Sequence, residues 1–106
     1  MNKLFDTLGF TPAPWRAENS CVVDGDDHII AACISGHIHR NDSLEDYATA
    51  RLISAAPYML DVLVQLLESS YYWGEYDVPI GIVADIREAI EQATGMPWEK
   101  VQEITE

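Results

Sequence analysis

Cys33, His37 and His39 lie close together in the sequence, with Cys21 and His28 a short distance upstream. Thiols and imidazoles are ligands that zinc prefers, and a zinc site needs three or four ligands converging. The chain has neither a Cys-x-x-Cys pair nor a His-x-x-x-His pair suited to a helix face. An extended loop would put His37 and His39 on one side and yield two ligands at most, so no metal centre is expected. A thiolate beside a histidine could act as a nucleophile, but the β-branched residues around Cys21 and Cys33 point to buried, inert thiols. Asp24, Asp26 and Asp27 depart from the calcium-loop pattern and are better explained by turn chemistry. There is no Gly-x-Ser-x-Gly elbow and no glycine-rich phosphate cradle. The expectation is a protein that is not an enzyme and carries no metal or cofactor.

Two further groups bear on binding. Arg51 is one of only six Lys and Arg residues, and it falls within a helical pattern with few polar neighbours. A guanidinium there could hold a phosphate or carboxylate through its fork of donors. It could equally serve the fold, by pairing with Asp46 or capping backbone carbonyls. With Arg40 it forms the candidate ligand site. The segment Tyr71, Tyr72, Trp73, Glu75, Tyr76 and Asp77 is the candidate protein-binding site. Tyrosine and tryptophan supply large contact area and are enriched among residues that dominate interface energy. Glu75 and Asp77 would suit a basic partner. The same rings could instead close the core between two helices.

The overall charge narrows the classes of partner. Eighteen acidic against six basic residues give a formal net charge of -12 over 106 residues. Such a surface repels phosphate backbones and anionic lipid, so neither direct nucleic-acid binding nor membrane binding is expected. The opening residues contain no long apolar run of the kind that starts a secretory signal. The most apolar stretch, residues 58–67, is interrupted by Asp61 and Gln65 and is too short to span a bilayer. A cytoplasmic protein with free thiols is expected.

Those side chains need elements to position them. One domain over residues 1–106 is expected from the length. A first turn of helix should end at Gly9, followed by an extended entry through Pro12, Pro14 and the core anchor Trp15. The β-branched runs around Val22-Val23 and Ile29-Ile30 flank Asp24-Gly25-Asp26-Asp27, a hairpin signal. The sheet is expected at about residues 15–35. Ser43 with Asp46 makes a weakened capping box. Leu44, Ala48, Leu52 and Ala55 then share one face of a helix at about 43–56. Pro57 breaks that helix and opens a second, at about 58–69. This second helix is apolar nearly all round, so it demands cover on several sides, some of it from another subunit. A third helix at about 79–94 stops at Gly95, and a last one spans about 97–105. Strands first and helices afterwards imply an α+β fold, a small antiparallel sheet on a helical layer.

Thr11-Pro12-Ala13-Pro14-Trp15, the hairpin, and Ala50-Arg51-Leu52-Ile53-Ser54-Ala55-Ala56-Pro57 followed by Leu60 and Leu63 occur in a telling order. Over residues 11–67 the chain resembles a set of small phage and prophage proteins. These have a Thr-Pro-Gly-Pro-Trp opening, a short hairpin and an Asn-Ala-Arg-Leu-Ile-Ala-Ala-Ala-Pro helix. The chain departs from that pattern at Ala13, Thr49 and Ser54. The resemblance implies an accessory phage protein acting in the host cytoplasm.

The leading expectation is a non-enzymatic phage protein, a homodimer, that binds a host or phage protein with a basic, nucleic-acid-binding surface and inhibits host defence. One alternative is an oligomeric sponge for a small signalling nucleotide, held by Arg40 and Arg51. Another is a purely structural homo-oligomer.

Overall fold

The computed structural model describes residues 3–33, 44–74, 78–79 and 81–105. Five α-helices and three strands lie among them. In chain order they are α1 (Lys3–Leu8), β1 (Arg16–Glu18), β2 (Cys21–Val23), β3 (Ile29–Ala32), α2 (Leu44–Ser54), α3 (Ala56–Ser69), α4 (Ile82–Thr94) and α5 (Trp98–Thr105). A single 3-10 turn, Ser70–Tyr72, follows α3 directly. The α+β expectation is met. The chain forms two compact units, Gly9–Tyr58 and a second made of α1 with the residues from Met59 onward.

The first unit is built on a three-stranded antiparallel sheet in the order β1-β2-β3. Strand β1 pairs with β2 through Arg16↔Val23 and Glu18↔Cys21. Asn19 makes this tight turn possible by taking a left-handed φ of 56°, a conformation that asparagine tolerates better than most residues. The second turn rests on Asp24. Its Oδ1 accepts the backbone N–H groups of Asp26 at 2.8 Å and His28 at 3.0 Å. The Asp24 N–H donates to the His28 carbonyl at 3.0 Å. Here Asp27, not Gly25, carries the positive φ, at 66°. A register shift between Val22 and Val23 accommodates the extra residue in β3.

Helix α2 packs on β1 and β2. Val22, Cys33 and Ala50 are buried together, with Trp15, Ala17, Ile30, Ala31 and Ile53 against them. Trp15 donates its indole N–H to the Thr11 carbonyl at 2.9 Å and meets Phe10 edge to face. The face of α2 marked by Leu44, Ala48, Leu52 and Ala55 is not the buried one. Leu44 is 82% and Leu52 65% exposed, while Asp46 and Ala50 are buried. Ala50 explains the choice of face. Its single methyl sits in the cluster with Val22 and Cys33, where a small residue lets the helix backbone lie close to the short strands.

The second unit is helical. Leu4, Leu60, Val64, Leu67, Ile86, Ile90, Trp98 and Val101 are its buried residues, and α5 packs on both α1 and α4. Helix α3 starts at Ala56 with Pro57 in its first turn, where a missing N–H costs nothing. The side of α3 away from Leu60, Val64 and Leu67 keeps Met59, Val62 and Leu66 at 42%, 41% and 39% exposure. Helix α4 begins at Ile82, three residues later than the proline signal implied. Gly81, at a φ of 90°, occupies the N-cap. At the other end Gly95 takes a φ of 71° and donates its N–H to the Glu91 carbonyl. Glu91 also reaches α5: its Oε2 accepts the backbone N–H of Trp98 at 2.7 Å. That contact satisfies a helix-end donor that has no partner within the helix.

Candidate functional site

The aromatic segment after α3 is shaped by a change of helix type. Leu67, 1% exposed, pins the end of α3. The chain then tightens into the Ser70–Tyr72 turn, closed by Trp73 N–H donating to the Ser70 carbonyl at 3.1 Å. Trp73 itself is extended, at φ -84° and ψ 140°. The tighter pitch separates two consecutive tyrosines. Tyr71 lies against α5, where its hydroxyl oxygen accepts from Trp98 Nε1 at 3.2 Å and Gln102 Nε2 at 3.0 Å. Trp98 and Gln102 are one turn apart on α5, so their side chains reach the same point. Tyr72 projects outward at 90% exposure.

Glu68, Ser69, Tyr71, Tyr72, Gln102 and Thr105 line one open hollow of about 360 Å³. One wall is fixed, because the Trp98 that anchors Tyr71 is 1% exposed. Glu68, near the end of α3, and the outward Tyr72 line the same hollow. The structure therefore brings Tyr71 and Tyr72 into one surface and leaves Trp73 half-buried next to it. Glu75, Tyr76 and Asp77 lie outside the described residues. Glu68, Gln102 and Thr105 are additions that sequence reasoning missed. The available signal was weak: Gln102 stands four residues after a tryptophan on a short helix.

The candidate ligand site is not assembled in what the structure describes. Arg51 is exposed on α2 and forms no ion pair among the described residues, while Asp46 is buried at 2% exposure. Arg40 lies outside the described residues, as do Ser43, His37 and His39.

Arg16, in contrast to Arg51, is paired with two carboxylates. It bonds Asp27 and, at 3.0 Å, Glu18. The hydrogen bond to Asp27 is the main reason its pKa is raised above the ordinary value. Nearby, Asp24 is held below the ordinary aspartate range, chiefly by the backbone N–H of His28. Ligand atoms of Asp24, Asp26 and His28 all lie within 4.8 Å of one another. However, Asp24 Oδ1 already serves two backbone amides, and Asp26 and His28 are exposed. The geometry is that of a turn held by its own aspartate. Cys21 and Cys33 are both free thiols, the first half-buried and the second buried.

A family model described as Salmonella phage P22 protein Y8K6 matches residues 1–97. The chain belongs to that family. It is thus a phage protein, and the match extends well beyond the motif-bearing residues 11–67. The matched span includes Tyr71 and Tyr72, whereas α5, which carries Trp98 and Gln102, follows it. No curated protein and no solved structure matches the chain. No single helix among the described residues is long and apolar enough to cross a membrane.

Proposed function

We propose that this phage protein acts without catalysis in the host cytoplasm. In this reading it binds a host protein that has a basic, nucleic-acid-binding surface, and inhibits a defence complex by occupying that surface. The exposure of Tyr72 carries the reading. A tyrosine at 90% exposure beside a second that is fixed by two hydrogen bonds matches how interfaces are anchored, by aromatic side chains that lose little entropy on binding. The net charge of -12 would steer a basic partner towards it and would make association salt-dependent. Capture of the tagged protein's partners from a bacterial lysate, at low and at moderate salt, tests the reading. The expected result is one stoichiometric basic partner, retained at low salt, reduced at moderate salt and absent with the Tyr72→Ala variant. A partner captured equally by that variant would contradict it.

A homodimer is the second reading, favoured by α3. Met59, Val62 and Leu66 are spaced like a helix-pairing seam, about two fifths exposed, and carry no charge. Sedimentation across a range of concentrations tests it: a Val62→Lys variant should shift the protein to monomer, and an unchanged mass would remove this seam from consideration.

A further inference from the structure

We infer that the hollow beside Tyr72 receives an arginine side chain of the partner peptide; this rests on the protein-binding reading and specifies its chemistry. Three features of the hollow converge on that ligand. The first is the hydroxyl of Tyr71. Its oxygen has two lone pairs, and Trp98 Nε1 and Gln102 Nε2 donate to both. All that the group can still offer is its own proton, so it seeks an acceptor such as a peptide carbonyl. The second is Glu68, an exposed carboxylate on the rim of the same hollow, which forms no ion pair among the described residues. It accepts only, and a planar guanidinium can bond both of its oxygens at once. The third is the Tyr72 ring, open to solvent and able to take a cation over its face.

A free phosphate or nucleotide satisfies only the first feature and is repelled by the second. A lysine ammonium can meet the carboxylate and the ring as a point charge, but it lacks the flat fork that stacks and pairs together. A guanidinium stacked on Tyr72 and paired with Glu68, with a carbonyl of the same peptide accepting from Tyr71, uses all three. The anchoring of Tyr71 to the buried Trp98 holds this wall in place before the ligand arrives, which lowers the entropy lost on binding.

The test uses the whole chain and three short probes: acetyl-Gly-Arg-Gly amide, its citrulline counterpart, which keeps the shape but removes the charge, and its lysine counterpart. Nuclear magnetic resonance titration should show saturable shifts of the Tyr71 and Tyr72 rings and the Gln102 side-chain amide with the arginine probe. Binding should weaken about tenfold with citrulline and with Glu68→Gln, fall at least as far with Tyr72→Ala, and be intermediate with lysine. Both variants should melt at the temperature of the parent. Equal binding of the arginine and citrulline probes would overturn the assignment, as would an unchanged affinity in Glu68→Gln. If partner capture still depends on Tyr72 while those probes bind alike, the arginine assignment falls and the binding surface stands. Should capture also ignore Tyr72, both fall together.

Discussion

Two tyrosines that are neighbours in sequence have opposite duties. Tyr71, though 61% exposed, is tied to the core, because its hydroxyl oxygen accepts from the indole N–H of Trp98, a residue only 1% exposed. Replacing it with phenylalanine keeps the ring but strands that buried donor. The expected cost is about 1–3 kcal/mol in urea unfolding, the usual penalty for a buried polar group left unmet. A variant as stable as the parent would show that the indole N–H has found another acceptor. Tyr72 contributes almost no buried area, so Tyr72→Ala should change stability by less than about 0.5 kcal/mol. This separation makes Tyr72 the proper probe of function. Truncating Trp98 would cost about 3–5 kcal/mol, a large share of the stability of a small domain. Asp24 allows a residue-scale prediction in pH. Its folded-state pKa is lowered by the amides it accepts, so its support for the turn is complete at neutral pH. That support is lost as pH falls below the range where an ordinary aspartate protonates. Amide resonances of Asp26 and His28 should therefore titrate on the acid side of ordinary aspartate behaviour, and a midpoint within that range would contradict the arrangement.

The elements themselves were largely legible because their signals are local. Proline at the first turn of α3 restricts the backbone, glycine after α4 frees it for a left-handed stop, and β-branched runs flank an Asp-Gly turn. The hairpin signal worked for a different reason from the one it suggested. The Asp-Gly pair is a turn marker because glycine tolerates positive φ, yet the left-handed residue is Asp27. Gly95, by contrast, does take a left-handed φ and has open space around it. Gly95→Ala should therefore cost about 1–2 kcal/mol from backbone strain alone, whereas Gly25→Ala should be nearly neutral. Thermal melts of the two variants check this, and equal losses would contradict the assignment. The buried face of α2 was not legible. Periodicity marked Leu44 and Leu52, but α2 meets the sheet residues through Ala50 and Ile53. Hydrophobic spacing identifies an apolar face without saying which neighbour will cover it, and an aspartate buried at 2% exposure runs against the pattern altogether. The candidate site was half legible. The aromatic run is plain in the sequence, whereas the division of labour between Tyr71 and Tyr72 depends on Trp98 and Gln102, about thirty residues away.

At the scale of the whole molecule, the charge is what bears on the class of partner. A phage protein with a net charge of -12 is poorly suited to hold nucleic acid and well suited to compete with nucleic acid for a basic protein surface. In the proposed function this competition is anchored at Tyr72. The most direct measurement is the affinity of the captured partner for the parent protein and for Tyr72→Ala, at low salt, with melting curves of both proteins run alongside. A loss of about tenfold or more, with unchanged melting, is what the account predicts for a tyrosine that anchors an interface. Equal affinity for the two proteins would contradict it and move the binding surface elsewhere on the chain.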